Sequence, residues 1–257
     1  MKNNKASWTA EITAIYRAAE SIRPREDRIC YDYYAKDFLR TSFRLILKSR
    51  ILTKIALWCA VERRFPGGIA STVVRIRFID DCLKQCIDEG IEQLVILGAG
   101  YDSRAYRFDR LKALAGVFEV DHPATQKMKK NKVRKIFGDL PKHVAYVPVD
   151  FENEKLDEKL LQSSYKNNMK TLFIWEGVSK YLTADAVDAV LAFVTNNSGK
   201  GSSIVFDYLF KYATDTGSDL KLVKRILSYQ AKKSEPYIFG LQEREVEQFM
   251  WDRGFPR

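Results

Sequence analysis

The run from Leu94 to Arg107, Leu-Val-Ile-Leu-Gly-Ala-Gly-Tyr-Asp-Ser-Arg-Ala-Tyr-Arg, constrains the fold of this 257-residue chain more than any other feature. Leu94 to Leu97 is an uninterrupted apolar run and reads as a short buried strand. Gly98-Ala99-Gly100 follows as a tight turn where backbone can approach a ligand closely, because glycine has no Cβ in the way. Ser103 to Leu114 then reads as a helix with Leu111 and Leu114 on one face. Strand, glycine turn and helix N-terminus together make the nucleotide-handling corner of a doubly wound α/β fold. The third glycine of a dinucleotide fingerprint is missing, however: Ser103, preceded by Asp102, stands in its place. A dinucleotide is therefore the weaker reading of this loop, since its pyrophosphate wants the helix packed close.

The next elements fall where such a fold needs them. Val117 to Val120 reads as a second strand ending in Asp121, 23 residues after Gly98. A carboxylate at that tip is placed to accept hydrogen bonds from two ribose hydroxyls. The plain alternative is an aspartate capping a helix that begins near Pro123. His143 to Val149 reads as a third strand ending in Asp150-Phe151, an acid suited to an adenine amino group beside an aromatic that either faces the ring or packs. Leu172 to Trp175 is a fourth strand leading into Glu176-Gly177, and Ser203 to Phe206 a fifth, ending at Asp207-Tyr208.

These residues carry a resemblance. LGAGYDSRAYR, FEVDHP (118–123), VPVDF (147–151) and FIWEGVSKYL (173–182) resemble the leucine carboxyl methyltransferase and polyketide O-methyltransferase family. Thr9-Ala10, the stretch Tyr16 to Glu20, Arg23-Pro24, the stretch Asp32 to Ala35 and the stretch Arg75 to Asp81 extend the likeness to the N-terminal region. The resemblance implies a class I methyltransferase fold, Rossmann-like and doubly wound, with S-adenosylmethionine as cofactor. That donor carries no phosphate, so the loop need only pass under its methionine and ribose. Position by position, the resemblance implies Gly98 and Gly100 for the cofactor loop, Asp121 for the ribose, and Asp150 with Phe151 for the adenine. It implies Glu176 beside the methionine end, Arg75 at the cofactor carboxylate and Arg17 as a second basic contact. Asp32-Tyr33-Tyr34 departs from the more usual Asp-Pro-Tyr, and Lys180 precedes Tyr181 where many relatives carry an apolar residue.

Composition agrees with one catalytic domain spanning residues 1–257. At 46% hydrophobic and 30% charged residues the chain can bury a full core, and no Gly/Ser- or Pro-rich linker divides it. Residues 1–90 read as helices with polar faces, a cap over the α/β core of residues 91–257 rather than a separate domain. Met1 to Ser7 lacks the apolar centre of a signal peptide. The most apolar helical run, Ile51 to Val61, is interrupted by Lys54 and falls far below the roughly 20 residues of a membrane span. A cytoplasmic protein with no membrane partner is the expectation. Cys30, Cys59, Cys82 and Cys86 have no metal-ligand spacing, so no metal site is expected. The net charge is +10, with a basic run at Lys127, Lys129, Lys130, Lys132, Arg134 and Lys135. A solvated helix face explains such a run best, ahead of a nucleic-acid footprint or steering of an anionic acceptor.

Methyl transfer from a sulfonium is an in-line displacement that needs alignment and exclusion of water. A hydroxyl acceptor also needs a base, most often histidine. His122 follows the ribose aspartate and His143 opens strand three at the far end, so neither is well placed. A carboxylate, with a pKa near ~4, is already ionised and needs none. The expected function is therefore methylation of an oxygen on a small-molecule acceptor, a carboxylate, with Lys180 attracting the anion and Tyr181 orienting it. Tyr181, Asp207 or Tyr208 could still serve a hydroxyl. The alternative is a non-catalytic binding protein, for nucleic acid, that keeps the cofactor fold. Glu243 to Trp251 reads as an amphipathic helix, and the sheet is expected to lack its last two strands.

Overall fold

The computed structural model describes residues 8–215, 220–232 and 236–255; Met1 to Ser7 and the terminal Arg257 lie outside them. Five strands, β1 (Gln93–Leu97), β2 (Gly116–Asp121), β3 (Val144–Pro148), β4 (Thr171–Trp175) and β5 (Ser203–Phe206), form one sheet in the order β3-β2-β1-β4-β5. Every pairing is parallel, with Leu94 opposite both Val117 and Leu172. The strand order reverses between β1 and β4, and there the crossovers leave in opposite directions and open a crevice at the carboxyl ends.

Among the described residues four α-helices precede the sheet: α1 (Trp8–Ser21), α2 (Thr41–Ile46), α3 (Arg50–Leu57) and α4 (Gly68–Asp88), with a π-helical turn over Trp58–Glu62 continuing α3. Within and after the sheet come α5 (Arg104–Arg107), α6 (Pro123–Phe137), α7 (Leu156–Leu161), α8 (Ala184–Asn196), α9 (Lys221–Lys232) and α10 (Val246–Trp251). Sequence explains the firmest of these. In α4 the residues at helical spacing, Val73, Ile76, Ile79, Leu83 and Ile87, are buried, and Asp80 lies buried among them. In α6, Pro123 occupies the first turn and the His122 side chain accepts from the Ala124 N–H as N-cap. Thr183 caps α8 in the same way, and Val187, Val190, Leu191 and Val194 form its inner face.

Alternation along the strands divides the core into two layers. Leu94, Ile96, Val117, Leu172 and Ile174 pack with Ala14, Ala18, Ile79 and Leu83 from α1 and α4. Val95, Leu97, Phe118, Val120, Phe173 and Trp175 face the opposite way, against Leu160, Val187 and Val190 of α7 and α8. The helix expected over 103–114 is shorter. It stops after Arg107, where Phe108 leaves the helical region (φ −101°, ψ 95°), and a 3-10 stretch over Asp109–Ala113 carries the buried Leu111. The segment expected as one helix from Glu243 to Trp251 likewise splits into a 3-10 turn over Glu243–Glu245 and the short α10. Among the described residues β5 pairs with β4 alone, and no helix is long and apolar enough to cross a membrane.

Candidate active site

The crevice at the strand ends is a cavity of about 1130 Å³. Its floor is the loop from Leu97 to Asp102, with Asp121, Asp150, Phe151 and Glu176 to Val178; α1, α3 and α4 contribute its roof. The turn is held from below by β2, since the Gly98 and Ala99 N–H groups both donate to the Val120 carbonyl (2.8 and 3.0 Å). Gly98 has φ 68°, and a Cβ there would stand 2.1 Å from the Val178 side chain. Gly100, at φ 44°, faces Ala10 of α1. Both positions are thus restricted to glycine by conformation, and Gly98 by space as well.

Asp121 ends β2 with one carboxylate oxygen accepting from the Gly100 N–H (2.6 Å) and the other from the His122 N–H (2.7 Å). Burial pushes its carboxyl above the ordinary value against the pull of those two amides. Each oxygen keeps a second lone pair, and the residue lines the cavity, so a ribose diol has acceptors there. Asp150 accepts from Asn153 Nδ2 (2.9 Å) and the Glu152 N–H (3.2 Å). These bonds outweigh its burial and hold it below the ordinary carboxylate value. Phe151 lies beside it on the cavity wall. His122 Nδ1 is occupied by the Ala124 N–H (3.3 Å), and its Nε2 is 3.9 Å from Asp150.

At the other side of the glycine loop stands an ion network. Arg75 of α4 reaches Glu176 (3.0 Å) and Asp207 (2.8 Å). Arg104 of α5 joins Asp80 (2.7 Å), Asp102 (2.5 Å) and Glu176 (2.8 Å), and Arg107 returns to Asp80 (2.6 Å). Asp207 also accepts from the Gly177 N–H. Three guanidiniums meet four carboxylates, so the cluster carries one net negative charge beside the loop. Burial raises the Glu176 carboxyl, but Arg104 and Arg75 outweigh it and keep the group ionised below the ordinary value. The Arg75 expected at a cofactor carboxylate is thus bound within the protein to Glu176 and Asp207. Arg17 is buried, pairs with Asp32 (3.2 Å) and donates to the Tyr101 carbonyl, while its Nε has no hydrogen-bond partner. Asp32 in turn accepts from the Ser103 hydroxyl (2.6 Å), which ties the helical segment to the loop through the residue standing where a third glycine would be.

The next turn of the same loop is different. Lys180 Nζ sits over the rings of Tyr181 (5.5 Å) and Tyr237 (5.2 Å), and among the described residues no carboxylate pairs with it. The Tyr181 hydroxyl lies 3.4 Å from Thr9 Oγ1 of α1. The Lys180 carbonyl accepts from the Ile238 N–H (2.8 Å), which fixes Tyr237 against the wall. The basic run on α6 is broken: Lys129 is buried against Glu119 (2.8 Å), while Lys127, Arg134 and Lys135 are exposed.

Comparison with known proteins places this architecture. A family model described as leucine carboxyl methyltransferase matches residues 10–195. The chain belongs to the leucine carboxyl methyltransferase family. A Bacillus subtilis protein named as a candidate S-adenosyl-L-methionine-dependent methyltransferase, YktD, is 29% identical over 272 aligned positions, covering 99% of this chain and 88% of the relative. A Mycolicibacterium gilvum protein, also named as a candidate S-adenosyl-L-methionine-dependent methyltransferase, is 30% identical over 78% of this chain and 65% of its own length. Among solved structures, a candidate methyltransferase from Thermobifida fusca superposes with a TM-score of 0.57 at 16% identity, over 96% of this chain and 80% of that one. A Streptomyces avermitilis protein of the duf574 family does so equally, at 13% identity over 91% of this chain and 80% of that one. The fold is that of class I methyltransferases.

Sequence reasoning missed Asp32, Asp80 and Arg104 as members of the site. Asp80 carried a signal: it falls in the apolar stripe of α4, and a buried carboxylate needs a cation. Arg104 and Arg107, three residues apart after the glycine loop, are the cations it meets.

Proposed function

We propose that this chain transfers the methyl group of S-adenosylmethionine to a carboxylate oxygen of a small-molecule acceptor in the cytoplasm. Family and fold support the donor, and the glycines, carboxylates and aromatic ring lining the cavity floor support this reading of how it is held. Gly98 and Gly100 would pass under the methionine and ribose, and Asp121 would accept from the ribose hydroxyls. Asp150 with Phe151 would face the adenine, and the net negative cluster around Glu176 would sit beside the cationic methionine end. The bound cofactor supplies an electrophilic methyl group on sulfur.

The acceptor reading rests on one observation, the Lys180 ammonium that lines the cavity over two aromatic rings and with which no carboxylate pairs among the described residues. A cation held over two aromatic rings and without a carboxylate suits an anionic acceptor. Among the described residues, neither histidine offers a free base to the cavity. His122 Nδ1 already accepts from the Ala124 N–H, so in the neutral ring the proton stays on Nε2, toward Asp150. His143 is bonded to the Ala105 carbonyl (2.9 Å). Glu176 and Asp207 are each held by arginine. An acceptor that arrives ionised needs none of them.

Methyl-release assays over carboxylic and phenolic acceptors test this reading, with Lys180→Met as the diagnostic variant. Turnover on carboxylates is expected, with acceptor KM raised about tenfold in the variant, the loss of roughly one charge-assisted hydrogen bond. The Kd for S-adenosylmethionine should stay unchanged. Turnover confined to phenols, with no effect of Lys180→Met, would reject the carboxylate.

A further inference from the structure

One helix of the roof is apolar on two opposite sides. On α3 and its π-helical continuation, Thr53, Ala56, Leu57 and Ala60 line the cavity. Ile51, Ile55 and Trp58, spaced i, i+4, i+7 on the other side, are 73, 54 and 55% exposed. A helix apolar all round is normally buried all round. Neighbouring Leu45 and Leu52 are also more than half exposed, so the outer side is a patch rather than isolated residues. The charge of the segment has one sign: residues 38–61 contain Arg40, Arg44, Lys48, Arg50 and Lys54 and no acidic residue. Arg40 and Arg44 are spent on Glu11 and Asp37. Among the described residues no carboxylate pairs with Lys48, Arg50 or Lys54, which flank the exposed apolar stripe.

We propose that the outer face of residues 45–58 docks on an anionic lipid surface, with Ile51, Ile55 and Trp58 entering the headgroup boundary and Lys48, Arg50 and Lys54 meeting lipid phosphates. Aliphatic residues and a tryptophan bordered by lysine and arginine are the composition of an interfacial helix. Anionic lipids attract such cations at about 1 kcal/mol each, roughly fivefold per residue. An acidic protein partner would match the cations, but it would not call for an outward stripe of two isoleucines and a tryptophan with no polar residue between them on that line. The expectation of no membrane partner rested on the lack of a span, and a peripheral face needs none. The inner side of the same helix lines the cavity, so docking would bring the roof of the site to the bilayer.

Co-sedimentation of the full chain with vesicles of phosphatidylcholine, with and without phosphatidylglycerol, tests the proposal. Binding is expected only with the anionic lipid and should weaken with salt. Ile51→Asp combined with Ile55→Asp should weaken it at least tenfold, and so should Lys48→Glu with Lys54→Glu. All four positions are exposed, and unchanged circular dichroism of the variants confirms that they fold. No sedimentation with anionic vesicles at low salt, or equal sedimentation of parent and variants, overturns the proposal. Light scattering without lipid supplies the remaining outcome: a dimer dispersed by the isoleucine substitutions would assign the face to a second copy of this chain instead.

Discussion

Two regions of the cavity lining handle charge in opposite ways. In the cluster, Arg75, Arg104 and Arg107 are engaged by Asp80, Asp102, Glu176 and Asp207, with Arg104 1% exposed. A few residues further along the same loop as Glu176, Lys180 stands over two aromatic rings, and among the described residues no carboxylate pairs with it. A buried charge without compensation is costly, so the closed network is architecture: it joins α4, the loop, α5 and the ends of β4 and β5 at one point. On the proposed function Lys180 is compensated by the anionic acceptor, whereas the cluster, with one net negative charge, both joins these elements and sits beside the methionine end.

The largest way to break that contrast is Arg104→Ala. Three carboxylates would lose their shared guanidinium inside a dry cluster, and a stability loss of about 3–5 kcal/mol is expected, measured by urea unfolding. Arg104→Lys should recover only part of it, since an ammonium cannot span Asp80, Asp102 and Glu176 as the planar fork does. A loss below about 1 kcal/mol would show that the network does not carry the junction.

Asp121→Ala sharpens the contrast from the cofactor side. Here the carboxylate is both structural, through the Gly100 and His122 amides, and open to the cavity. Affinity for S-adenosylmethionine should fall by about 1.5–3 kcal/mol, the range of charge-assisted hydrogen bonds, as read by calorimetry. NAD should not bind to either protein. Unchanged affinity in a folded variant would remove Asp121 from the cofactor and leave it as a loop cap.

Legibility in the sequence followed the same division. The five strands were readable because each is a short apolar run ending at a glycine or acid. Their ends were off by a residue or so, as at β3, which begins at Val144 rather than His143. The floor of the site was readable for the same reason: in a parallel sheet, residues at strand ends share one rim. The network was not readable, because apart from the neighbouring Asp102 and Arg104 its partners come from α4, α5 and the ends of β4 and β5, 24 to 132 positions apart. Pairing at that distance is decided by packing. The split after Arg107 follows from it, since both arginines turn inward to Asp80 while Leu111 must still reach the core.

A third buried pair lies beneath the loop and gives a pH-dependent effect. Lys129 meets Glu119 (2.8 Å) and donates to the Ala99 carbonyl (3.3 Å), and Tyr106 donates to the same carboxylate (2.9 Å). Burial raises the Glu119 carboxyl to about 7, more than Lys129 and Tyr106 lower it. The folded protein therefore holds this proton where the unfolded chain, at about 4.5, has released it. The contribution to stability is full below the unfolded value and is lost as pH rises toward 7. Glu119→Gln should flatten the fall in stability between those two values, which amounts to about 3 kcal/mol for a shift of that size, read from denaturant melts across pH. An identical slope in the variant would show that Glu119 stays ionised throughout.

Tyr181→Phe is the finest probe of the Lys180 region. The substitution keeps the ring that lies under Lys180 and against Tyr237 (5.4 Å between centroids), so the lysine's aromatic seat is preserved. Only the hydroxyl is removed, together with its long 3.4 Å contact to Thr9 on α1. If that hydroxyl orients an acceptor held by Lys180, kcat should fall by less than about tenfold, matching a single neutral hydrogen bond of ~1 kcal/mol. The Kd for S-adenosylmethionine should not move, because the ring and its packing are kept. Loss of the Thr9 contact alone would instead lower the melting temperature and leave kcat intact. Equal turnover in Tyr181→Phe and the parent protein would therefore confine the tyrosine to packing and remove its hydroxyl from the acceptor.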